Sequence, residues 1–168
     1  MNSFNRQFLV FGATIFFAVA LFSSVGRLAA QAPWPPGAVP TPNDQRNSQR
    51  LVKSEVQWLQ NATRTAPNYG TGGYANVRAQ FEKLCAVYSN FKQTLSPRQL
   101  DFGGNDLAEL DAGLGIIQEA FSVYENDVAN GRSISTALRS MCQVLSQASA
   151  LWLQEFNRVC TRMRVGFP

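Results

Sequence analysis

Residues 105–129, NDLAELDAGLGIIQEAFSVYENDVA, place Leu107, Leu110, Leu114, Ile117, Phe121, Tyr124 and Val128 at alternating steps of three and four. That alternation keeps one apolar stripe facing the same neighbour over seven contacts, which a strand of period two cannot do. The stretch predicts a long helix over about 105–129. Asn130-Gly131 supplies the left-handed stop that ends it.

The same pattern continues on either side. After the stop, Ser133 stands as an N-cap, and Leu138, Met141, Leu145, Ala148, Trp152, Phe156, Val159 and Met163 carry a stripe along the last segment. Before it, Val77, Phe81, Leu84, Tyr88, Phe91 and Leu95 predict a helix over about Tyr74–Leu95. Ahead of that, Thr41-Pro42-Asn43-Asp44 offers a cap, a proline at the first helical position and a carboxylate two residues on. The segment that follows runs to about Thr65, with Val52, Val56 and Leu59 in register and Trp58 beside them. Ala66-Pro67-Asn68-Tyr69-Gly70-Thr71-Gly72-Gly73 reads as the connector between the first two helices. Four amphipathic segments with short joints bury their stripes most simply against one another. The expected fold is all-α: an antiparallel up-down-up-down four-helix bundle over residues 43–168, preceded by an N-terminal hydrophobic targeting helix.

Charge sorts along the chain in the same way. Residues 33–100 carry eight basic and three acidic side chains, residues 101–127 seven acids and no base, and residues 128–168 five arginines and Glu155. The third helix is an acidic rod between basic partners. Asp106, Asp111, Glu125 and Asp127 fall at positions flanking its stripe, where coiled-coil helices exchange ion pairs. Each exposed pair contributes at most about 1 kcal/mol, so these charges choose neighbours more than they add stability.

The first 42 residues differ in kind. Residues 1–7 carry Arg6 and no acid, and FLVFGATIFFAVALF (8–22) has no charge. Small residues follow around Ala29, Ala30 and Ala32. This is the layout of a secretory signal peptide over 1–32, cut after Ala30 or Ala32. Extended to Gly26, the same stretch over residues 8–26 is long enough for a retained single-pass anchor. Either reading puts the remainder outside the cytoplasm, in the periplasm or secreted. Residues 33–42 hold five prolines in ten, an extended linker rather than a helix.

The chain has 168 residues, 45% of them hydrophobic and 12 of them phenylalanine, with a formal charge of +4 and no histidine. One packed domain plus a leader fits that length, and disorder does not fit that composition. Without imidazole there is no His-based triad, no HExxH zinc site, no Glu-x-x-His di-metal centre and no His-ligated haem. Asp106, Glu109 and Asp111 converge on no core position and read as a solvated, ion-paired face rather than a metal site. Gly70-Thr71-Gly72-Gly73 lacks phosphate-loop spacing and a preceding strand. Arg158, Arg162 and Arg164 suit the end of a helix, while a pI near 9.3 suits contact with anionic envelope surfaces. Asn61-Ala62-Thr63 is a glycosylation sequon in a eukaryotic host.

Three cysteines, Cys85, Cys142 and Cys160, allow one internal bridge and one spare thiol. Cys142 and Cys160 lie about 27 Å apart along a continuous helix, so a disulfide between them is excluded. The open choices are a bridge from Cys85 to one of the others, or three reduced thiols beside the core.

Leu95-Ser96-Pro97-Arg98-Gln99 resembles the Leu-Thr-x-x-Gln motif of small periplasmic stress chaperones of the Spy and CpxP type, which are all-α. It stands once here, with Ser for Thr, over five residues. A capping box, with Ser96 as cap and Gln99 at the third position, explains the same residues locally. The expected function is an exported, non-enzymatic interaction or structural module at the cell envelope. It has a protein partner, no cofactor, no metal, no catalytic residue and no nucleic-acid partner. The alternative is a chaperone-like or small-hydrophobic-ligand binder with Phe81, Tyr88, Phe91, Phe121, Tyr124 and Trp152 lining a groove.

Overall fold

The computed structural model describes residues 39–167; the targeting segment and most of the proline linker lie outside them. Among the described residues there are four α-helices and no strand: α1 (Pro42–Thr65), α2 (Gly70–Gln93), α3 (Pro97–Ala129) and α4 (Ile134–Arg162). Every stripe residue predicted for the four segments is buried except Val128, which is half-buried. Trp58, beside the α1 stripe, is 57% exposed.

α1 starts as its sequence requires. Thr41 and Asp44 close a capping box, with Thr41 N donating to Asp44 Oδ2 at 2.8 Å and Asp44 N to Thr41 Oγ1 at 3.3 Å. Hydrogen bonding to Thr41 also holds the Asp44 carboxyl below the ordinary carboxylate range. Two boundaries differ from the sequence reading. The connector 66–73 is a single 3-10 turn, Ala66–Asn68, and α2 begins four residues early at Gly70, which takes a φ of 55°. The glycines permit this: a Cβ on Gly73 would lie 2.1 Å from the Ala66 carbonyl oxygen. α3 begins at Pro97 rather than near 105, started by the Ser96–Gln99 capping box. Gly103 lies inside that added segment, and a Cβ there would strike Met163 Sδ at 2.4 Å. At the far end, Gly131 turns the chain at φ 85° and Arg132 N bonds back to Asp127 O at 2.9 Å.

Cross-helix pairs run in opposite chain directions at the three seams between consecutive helices. Glu55 meets Lys83 and Ala66 meets Gly73 between α1 and α2. Arg78 meets Glu125 and Lys92 meets Asp111 between α2 and α3. Asp106 meets Arg162, and Leu110 meets Trp152, between α3 and α4. The backbones of α1 and α2, α3 and α4, and α1 and α4 run close together, and α2 also reaches α4 across the core. α2 and α3 instead meet mainly through long side chains.

Candidate functional site

The six aromatic residues named from the sequence share the interior. Trp152 stacks on Phe156 at 5.3 Å and meets the edge of Tyr88 at 5.3 Å, while Phe91 meets Phe156 at 5.1 Å. Phe81 packs on Phe121 at 5.3 Å, and Tyr124 stacks on Tyr74 at 4.4 Å. The Trp152 indole N–H donates to Leu110 O at 2.8 Å, so its one polar atom is satisfied inside the core. All six are buried. As folded, they form a closed aromatic core rather than an open groove.

The α2/α3 seam covers that core. Arg78 donates to Glu125 Oε1 at 2.6 Å and to the Tyr74 hydroxyl at 2.8 Å, and its guanidinium lies 5.7 Å from the Phe121 ring. Tyr74 O–H also donates to Glu125. Burial, with the Glu125 bond second, pushes the Tyr74 hydroxyl above its usual pKa, and the Tyr74 bond leads the rise at Arg78. Further along, Lys92 bonds Asp111 at 2.8 Å with its ammonium 4.9 Å from the Tyr88 ring. Each cation is thus held between a ring and a carboxylate of α3.

Three of the four flanking acids of α3 behave as the sequence implies. Asp111 and Glu125 bridge to α2, and Asp106, itself buried, bonds Arg162 at 3.1 Å with Arg158 at 4.0 Å. Asp127 differs: it pairs with Arg132 in the loop after its own helix, because α3 ends two residues later. No group of three or more acidic or cysteine side chains among the described residues is placed to hold a metal ion.

The disulfide considered from the sequence is not formed; Cys85, Cys142 and Cys160 are three separate thiols. They face different surroundings. Cys85 lies within the influence of Glu82 and Asp111, Cys142 bears on Tyr124, and Cys160 approaches Lys53 and Gln49 of α1. Burial raises all three, Cys85 and Cys160 to about 12 and Cys142 to about 11. Thiols held this strongly protonated are poor nucleophiles near neutral pH.

The sequence reading missed a polar knot at the end where α1 begins. Gln45 Nε2 donates to Thr94 O and to Gln99 Oε1, both at 2.8 Å, while Gly166 N donates to Gln45 Oε1 at 2.9 Å. Gln99 Nε2 reaches Met163 O at 3.2 Å, and Arg46 Nε donates to Gly166 O at 2.8 Å. The knot joins the start of α1, the α2–α3 joint and the C-terminal hook, residues 163–167. Only the local half of it, the capping box, carries a sequence signal.

No family model matches the chain, and no curated protein or solved structure matches it either.

Proposed function

We propose that this chain is an exported, non-enzymatic protein, an antiparallel up-down-up-down four-helix bundle behind a targeting segment, that acts as an interaction or structural module at the cell envelope. The observation that carries this reading is where the chemically useful side chains sit. The aromatic rings are closed into the core, and the α3 carboxylates hold neighbouring helices or the following loop. The thiols are shifted away from reactivity. What remains for a partner is the outer surface. The apolar, uncharged run 8–22 and the proline linker support export, with the domain held off the membrane or released from it.

Fractionating the native host tests it. The chain should appear in the envelope or extracellular fraction, cleaved near residues 30–32 or intact, with protein partners retained in non-reducing pull-downs. A cytoplasmic, uncleaved chain would contradict the reading.

A second reading, binding of an apolar ligand or an unfolded chain, draws on the α2/α3 seam, where backbones stay apart and side chains alone cover the rings. It predicts that loosening the seam with Arg78→Ala raises uptake of a hydrophobic dye. A dye signal unchanged by that substitution counts against it.

A further inference from the structure

The two ends of the helical domain differ in charge and in exposed apolar surface. Residues 42–50, 92–104 and 158–167, at the end where α1 begins, carry seven basic and two acidic side chains. The opposite end, residues 61–74 and 119–139, carries three of each. At the basic end, Arg158 and Arg162 are held by Glu155 and Asp106, and Lys92 by Asp111. Arg46, Arg50, Arg98 and Arg164 have no carboxylate within ion-pair distance among the described residues. Of the two acids there, Asp44 is engaged by the Thr41 cap, and Asp101 stands one turn beyond Arg98.

Large apolar side chains are exposed among these arginines: Leu100 at 41%, Phe102 at 60% and Phe167 at 67%. Arg162 lies over the Phe102 ring at 5.4 Å. The polar knot fixes the group in place, since Gln99, Arg46 and Gly166 tie the start of α3 and the C-terminal hook to α1. Among the described residues, Lys53, Arg64 and Arg139 also lack an ion-pair partner, but they are spread along the chain rather than gathered at one end with exposed apolar side chains.

This is also the end from which the chain runs back to the apolar segment. α1 starts at Pro42, and only the proline linker separates it from residues 8–22 and the small residues after them. From an anchor ending at Gly26, residues 27–41 give at most about 50 Å of chain. An anchored chain is therefore tethered to the lipid surface by this end.

We propose that the basic, aromatic-studded end docks on anionic lipid headgroups, with Arg46, Arg50, Arg98 and Arg164 meeting phosphates and Leu100, Phe102 and Phe167 entering the interface. Arginine near an anionic surface strengthens association by about fivefold per residue, and aromatic rings prefer the headgroup boundary. The orientation of this end toward the membrane rests on residues 8–22 being membrane-directed, as in the function proposed above; its charge and its exposed apolar side chains do not.

Backbone amide exchange of the full chain, read by mass spectrometry with vesicles of phosphatidylcholine alone or mixed with phosphatidylglycerol, tests it. Peptides from 96–104 and 160–167 should exchange several-fold more slowly with the anionic vesicles only, and high salt should remove the effect. Peptides from the far end should not change. The double variant Arg98→Gln, Arg164→Gln, helical by circular dichroism, should lose most of the protection. Equal exchange with both vesicles overturns the docking even if the chain stays membrane-bound through its apolar segment. Protection by soluble heparin and not by anionic vesicles also overturns it, in favour of an acidic soluble partner. A chain that ignores neutral vesicles yet shows anionic-specific protection sustains the docking and removes the anchor.

Discussion

Gln45 and Gln99, 54 residues apart in sequence, bond each other in both directions: Gln45 Nε2 reaches Gln99 Oε1 at 2.8 Å, and Gln99 Nε2 reaches Gln45 Oε1 at 3.3 Å. The same two amides bind Thr94 O, Gly166 N, Ser96 N and Met163 O. Three pieces of chain thereby share one hydrogen-bonded junction, much of it out of water.

Replacing Gln45 with leucine should therefore cost more than a single average hydrogen bond. It strands the Gly166 N–H and the Thr94 carbonyl, and a buried unsatisfied group costs about 1–3 kcal/mol. A loss of that size in denaturant unfolding, with helicity unchanged, is expected. Gln60→Leu, on the same helix and outside the junction, should shift the midpoint far less.

Glycines of α2 and α3 should respond in opposite senses to alanine. Gly104 and Gly115 have open space where a Cβ would go, so alanine there should stabilise by about 0.5–1 kcal/mol. Gly73→Ala presses a Cβ onto the Ala66 carbonyl, a backbone atom that cannot step aside, and should destabilise by about 1–3 kcal/mol. Gly103→Ala meets only the flexible Met163 side chain. Pairing it with Met163→Ala should recover part of its cost, and thermal melts of the series decide the order.

The thiols make stability fall at alkaline pH. Their folded values, about 12 for Cys85 and Cys160 and about 11 for Cys142, lie above the ordinary 9.0. The fold favours the protonated form, so this contribution is complete below about pH 9 and is lost as pH rises toward the folded values. Melting midpoints should drop between pH 9 and pH 11, less steeply when the three cysteines are replaced by alanine. In the folded state all three should react slowly with a thiol reagent near neutral pH; prompt reaction of any would contradict the burial assigned to it.

Among the carboxylates, Asp106 should matter most. It is buried against Arg162, while Arg158 at 4.0 Å is held mainly by Glu155, so Asp106→Ala strands one cation and leaves a gap, costing about 1–3 kcal/mol after allowing for the half-exposed Arg162. Asp111→Ala, which breaks a more exposed pair with Lys92, should cost less than about 1 kcal/mol. Chemical denaturation of the two variants under one buffer separates them.

The fold was legible wherever a three-four alternation set the answer, as in Leu107 through Tyr124. It was illegible where a close approach overrode composition. The glycine-rich stretch 70–73 reads as a connector and the stripe begins the third helix only near 105, yet Gly73 and Gly103 sit in helices, where Ala66 and Met163 leave no room for a larger side chain. Asp127 looked like a bridging acid by heptad position, but position says nothing about the Arg132 turn that captures it. The six aromatics, expected to line a groove, are all buried. Spacing alone could not distinguish a closed core from a groove, because both use the same stripe. The knot escaped because a glutamine's distant partner leaves no periodic trace.

Indole hydrogen exchange, followed by NMR, tests the closed aromatic core most directly. Trp152, bonded to Leu110 O and fully enclosed, should exchange only at the rate of global unfolding, while exposed Trp58 exchanges fast. Comparable fast exchange at both would show that water reaches the rings in the native state, and the account of a sealed interior with its working surface outside would fail.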